Sequence, residues 1–135
     1  MMPMRVLMLV PLIALCACAP AVEHAPGEPV PADRAPAAAV TGPALSCLET
    51  THINATRVHG DRTIDFRVSG RRIYRNTLPY PCPELGFEER FAYSLPYPRL
   101  CSSDIITVLH SDGSRGASCG LGEFVPVDIA RRDQP

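Results

Sequence analysis

Residues 62–68 read Arg-Thr-Ile-Asp-Phe-Arg-Val, and polar and apolar side chains alternate along them without a break. A period of two marks a β-strand with one buried face. Ile64, Phe66 and Val68 then point to a core, and Thr63, Asp65 and Arg67 to solvent. The flanks extend the pattern. Upstream, His59-Gly60-Asp61 supplies a turn, and residues 50–58 (TTHINATRV) carry the β-branched side chains that strands favour. Downstream, Ser69-Gly70 closes a tight hairpin, and residues 71–78 (RRIYRNTL) set Tyr74, Asn76 and Leu78 against Ile73, Arg75 and Thr77.

Pro79-Tyr80-Pro81-Cys82-Pro83 stops the run, because proline cannot donate to a ladder. Residues 84–89 (ELGFEE) suit one helical turn, and residues 90–95 (RFAYSL) alternate again. Pro96-Tyr97-Pro98 makes another turn. Residues 104–110 (DIITVLH) are a continuous apolar run, expected as a central strand buried on both sides. Residues 111–116 are a polar, Gly-rich loop, and a last irregular strand is expected at 123–127. Six short strands and no long helical period predict an all-β fold, a small antiparallel barrel or sandwich of about six strands over residues 46–128, with a polar tail at 129–135.

The start of the chain is different in kind. Met1 to Arg5 carries one positive charge, and residues 6–14 (VLMLVPLIA) are apolar. Nine residues are too few to cross a bilayer as a helix, which takes about 20. A charged start, a short apolar region and small residues form a signal-peptide pattern over residues 1–17. Its end, Leu15-Cys16-Ala17-Cys18, resembles the lipobox of bacterial lipoproteins and makes Cys18 the lipidation site. By that resemblance, Ala19 rather than Asp after the cysteine favours the outer membrane. An ordinary secretory signal, leaving a soluble periplasmic protein, is the alternative. Residues 18–45 then hold the lipidated cysteine and a Pro/Ala-rich disordered tether. Residues 19–44 contain six prolines, nine alanines and no aromatic residue, too little apolar surface to offset the entropy of ordering.

Six cysteines are present, and two belong to the targeting segment. Cys47, Cys82, Cys101 and Cys119 form an even set in a short exported domain, which reads as a disulfide framework. No C-x-x-C pair favours zinc. In an up-down meander Cys47 and Cys101 fall at one end and Cys82 and Cys119 at the other, which favours Cys47–Cys101 with Cys82–Cys119. The nested pairing, Cys47–Cys119 with Cys82–Cys101, stays open because the proline loop can carry Cys82 across.

The segments DRTIDF, YRNTLPYPCPELGFEERF, LCSSDIITVL and GASCGLGEFVPV resemble a family of small exported bacterial proteins of unknown function, lipoproteins with four cysteines in the folded part. The resemblance covers nearly all of residues 61–127. It implies a single domain there and brings no activity, ligand or catalytic residue.

Charge argues against one class of partner. Between Cys47 and Val127 nine arginines face nine carboxylates, so a nucleic-acid footprint is missing. All basic residues are arginine, as GC-rich coding produces. Arg71, Arg72 and Arg75 nonetheless offer a possible anion-binding surface, balanced by Asp61 and Asp65. His59 near Asp61 and His110 near Asp112 read as turn residues, because no nucleophile-elbow pattern accompanies them or Ser102 and Ser103. The Gly-rich stretch 116–122 lacks the Lys-Ser/Thr of a phosphate loop. Glu88-Glu89 read as a solvated pair.

The expectation is a non-enzymatic envelope lipoprotein without a cofactor, tethered to the membrane by its lipid and facing the periplasm. Its partner would be an envelope protein, lipopolysaccharide or peptidoglycan. A small-ligand binder using a barrel interior is the alternative. An enzyme comes third, and would require His59 or His110 to meet a carboxylate and a serine in one cleft.

Overall fold

The computed structural model describes residues 34–130. Cys18, the signal segment and most of the tether stretch lie outside the described residues. Ten strands are present: β1 (Ala38–Val40), β2 (Cys47–Glu49), β3 (Ile53–Val58), β4 (Thr63–Val68), β5 (Arg72–Thr77), β6 (Phe91–Ala92), β7 (Arg99–Cys101), β8 (Ile105–Leu109), β9 (Arg115–Gly120) and β10 (Phe124–Ile129). One helical turn, α1, spans Leu85–Glu88. All pairings are antiparallel. They form a five-stranded sheet ordered β1-β10-β5-β4-β3, a ribbon β2-β7, and a three-stranded sheet β6-β8-β9. The fold is all-β, as expected, in three separate sheets.

The alternation of β4 and β5 builds the core. Ile64, Phe66, Val68, Tyr74 and Leu78 meet Ile106 and Val108 of β8, Leu48 of β2, Leu100 of β7 and Phe124 of β10 in one buried cluster. Phe66 and Phe124 pack edge to face, with centroids 5.3 Å apart. The largest fully buried side chains among the described residues fill this space.

The two disulfides close the expected way. Cys47 and Cys101 are direct partners across the β2-β7 ribbon, and Cys82 joins Cys119 of β9. The nested pairing is therefore excluded. Loop closure over 54 and 37 residues limits the unfolded chain, which matters in a domain this small.

Four expectations need correction. The stretch read as tether ends early: Ala38–Val40 pairs with β10, and Leu45 bridges Phe124. The expected tail likewise loses Ile129 to β10. Residues 104–110 do hold a central strand, but it is buried on one face only, with Ile105 60% exposed against 0% for Ile106. Thr63 and Asp65, expected at the surface, are buried. The reason is long-range. The Arg34 N–H donates to His59 O at 2.8 Å beside β3, while β1 runs along β10 at the opposite edge. Residues 34–37 thus cross the outer face of the five-stranded sheet as a strap.

Candidate functional site

Asp65 on β4 sits directly opposite Arg75 on β5. The guanidinium grips the carboxylate twice, Nε to Oδ1 at 2.8 Å and Nη2 to Oδ2 at 2.9 Å. Its third nitrogen donates to Pro36 O of the strap at 2.9 Å. His59 Nε2 completes the carboxylate shell at 2.8 Å from Oδ2. Every strong contact of Arg75 is spent inside the fold. Strand alternation also sends Arg72 to the opposite face from Arg75. The anion-binding surface expected of Arg71, Arg72 and Arg75 is therefore not assembled. Arg71 and Arg72 are exposed by the β4–β5 turn, and Arg75 is a structural cation under the strap.

The other histidine has more chemical interest. His110 Nδ1 lies 2.9 Å from Ser114 Oγ, and its Nε2 lies 2.9 Å from Glu84 Oε2. Serine, imidazole and carboxylate in a row is the hydrogen-bond order of an activated nucleophile. Gly116 makes room for the ring, since a Cβ there would approach His110 Nε2 to 2.7 Å. The carboxylate raises the pKa of His110 above the ordinary 6.5, first through the hydrogen bond. That narrows the pH range in which the ring is a neutral base. His110 thus meets the carboxylate and the serine that the enzyme alternative requires, but the amides beside Ser114 are already engaged. An acyl intermediate needs donors aimed at its oxyanion. Here the Ser114 N–H is held by Asp112 Oδ1 at 2.8 Å and the Gly113 N–H by His110 O at 3.0 Å. The same Ser114 groups hold the Asp112 carboxyl below its ordinary range. These contacts close the β8–β9 hairpin tip.

Sequence reasoning saw His110 and Asp112 as neighbours and missed Glu84, 26 residues away, for which no local signal exists. Among the described residues no group of three metal-ligating side chains converges, and no helix is long and apolar enough to cross a membrane.

The sequence also carries a repeated tetrapeptide. Leu78-Pro79-Tyr80-Pro81 and Leu95-Pro96-Tyr97-Pro98 are identical tetrapeptides. In each the leucine turns inward, and Leu78 is fully buried. In each the tyrosine stands out, 79% exposed at Tyr80 and 76% at Tyr97. Prolines on both sides restrict the backbone. A disulfide cysteine follows each copy, Cys82 at once and Cys101 three residues on. The second copy walls an open depression of about 470 Å³ that Glu49, Arg99 and Asp104 complete. Asp104 also borders a second depression of about 400 Å³ on the outer face of β8, beside Tyr93 and Ile105.

No family model, curated protein or solved structure matches this chain.

Proposed function

We propose that this chain is a non-enzymatic binding module of the bacterial envelope, carried on a lipid at Cys18 and presenting rigid aromatic contacts from a disulfide-stapled β-domain. The observation that carries the reading is the pair of proline-framed tyrosines. A large aromatic ring held in the open by a preordered backbone loses little entropy on binding, which is how aromatic anchors act in recognition surfaces. The leucine of each frame and the adjacent disulfide hold the display in place.

Two further features support an envelope setting. Disulfides persist in oxidising compartments such as the periplasm, and the Leu15-Cys16-Ala17-Cys18 stretch has the lipobox form. A packed interior supports a surface binder over a ligand carried inside a barrel. The occupied amides around Ser114 support binding over hydrolysis.

Two measurements test the proposal. Palmitate labelling of wild type and Cys18→Ala checks the anchor, and equal labelling refutes it. Retention of the Cys18→Ala protein on washed envelopes, compared with the same protein carrying Tyr80→Ala and Tyr97→Ala, checks the contact surface. Retention should fall at least fivefold in the tyrosine variant, and unchanged retention overturns the binding reading.

A further inference from the structure

We infer that the two depressions meeting at Asp104 form one groove for an uncharged glycan chain rich in hydroxyl and amide groups, a β-linked N-acetylhexosamine polymer. This deepens the binding-module reading and rests on it.

Apolar surface stands at both ends. Tyr97, framed by Pro96 and Pro98, walls one depression, and Tyr93 with Ile105 walls the other. Ile105 is 60% exposed on the outer face of β8, which it shares with Thr107 and the half-buried Leu109. Sugar rings present C–H faces that pack on aromatic and aliphatic surface, and an edge of hydroxyls that needs hydrogen bonds. The stretch between the two ends supplies them. Ser94, Ser103 and Thr107 border it, and each hydroxyl both donates and accepts.

Charge selects among polymers. Glu49 and Arg99 neutralise each other at 3.1 Å on the rim. Asp104 gives one oxygen to the Cys101 N–H at 2.6 Å. Arg115 is exposed at the far side and makes no ion pair with a described residue. The groove therefore has no net sign. A polyphosphate or nucleic acid needs a cationic footprint, and this groove lacks one. Arg115 retains donors suited to a neutral carbonyl oxygen, which is what an acetamido group offers. The floor is also fixed in advance. Thr107 and Ser118 join across β8 and β9 at 3.0 Å, and Cys101 is locked by its disulfide to Cys47. A preordered groove keeps the cost of binding low.

The test uses the full chain, exported and with both disulfides intact. Of the four tyrosines Tyr93 and Tyr97 line the groove, and there is no tryptophan, so a fluorescence change on titration that is lost in Tyr97→Ala reports on the groove. Titration with chitotetraose should give saturable binding, and purified peptidoglycan sacculi should co-sediment the protein. Tyr97→Ala and Arg115→Ala should each weaken chitotetraose binding at least tenfold. Arg71→Ala, an exposed side chain at the β4–β5 turn that borders neither depression, should stay within twofold. Thermal unfolding of each variant confirms that it folds. Absence of saturable binding by wild type, or unchanged affinity in both groove variants, overturns the glycan assignment. So does binding to sacculi without binding to chitotetraose, which would place recognition on the peptide stems. If Tyr97-dependent retention on envelopes persists without glycan binding, the glycan assignment falls and the binding module stands. Loss of both ends both readings.

Discussion

The side-chain amide of Asn76 closes a two-bond ring with the backbone of Gly122. Its Nδ2 donates to Gly122 O at 2.6 Å, and the Gly122 N–H donates to its Oδ1 at 2.9 Å. Asn76 is fully buried on β5, so it pins the turn before β10 to the centre of the sheet. Asn76→Ala leaves the half-buried Gly122 N–H and C=O without their side-chain partner, at a cost of about 2 kcal/mol. Gly122→Ala should cost at least as much, because its Cβ would collide with the Thr77 carbonyl oxygen. Urea denaturation measures both, and a loss below about 1 kcal/mol for Asn76→Ala would show the ring to be incidental.

The Asp65–Arg75 pair under the strap makes a second prediction. Arg75→Ala leaves a carboxylate of low exposure with His59 as its remaining ion-pair partner among the described residues. Breaking one side of such a pair costs about 3–5 kcal/mol. Arg71→Ala and Arg72→Ala remove exposed side chains and should stay within about 0.5 kcal/mol of wild type. Similar losses at all three arginines would contradict the separation of Arg75 from the other two.

Each disulfide has a direct assay. Peptide mapping without reduction should recover Cys47 with Cys101 and Cys82 with Cys119. Loops of 54 and 37 residues correspond to about 4 kcal/mol of chain entropy each. Replacing either pair by alanines should lower the denaturation midpoint markedly, and a recovered Cys47–Cys119 peptide would overturn the topology.

Legibility followed element length and the range of the contacts. The hairpin strands β3, β4 and β5 were readable because each spans six residues, enough to show a period of two. Strands β2 and β7 have three residues each, too few for any period. Strand β9 reads Arg-Gly-Ala-Ser-Cys-Gly and has the composition of a loop. The disulfide pairing came out right on a premise that was partly wrong. Cys47 and Cys101 do share one end, but as partners inside a ribbon rather than as residues preceding two meander strands. Asp65 was misread because the strap that covers it joins residues 34–37 to a sheet formed much later in the chain. Of the candidate surfaces, the repeated Leu-Pro-Tyr-Pro frame was written plainly in the sequence, whereas Glu84 reaching His110 was not.

That contact gives the last prediction. The Glu84 hydrogen bond raises the pKa of His110 against an opposing desolvation, with smaller help from the charges of Glu84, Glu88 and Asp112. In an NMR titration the imidazole midpoint should lie above 6.5 and fall back in Glu84→Gln. The sign of the linked stability follows from the direction of the shift. A pKa raised on folding means the folded state binds the proton more tightly. The contribution is complete below the unfolded pKa and disappears as pH rises through the folded one. Glu84→Gln should therefore destabilise more at pH values below 6.5 than in alkaline solution. Asp112 works the other way: its lowered pKa gives support above the ordinary 3.8 that is lost as pH falls through the folded value. Denaturation midpoints of wild type and Glu84→Gln across this range test the assignment. A difference that grows with rising pH would mean that His110 is held as the neutral ring, with Ser114 rather than Glu84 as its governing partner.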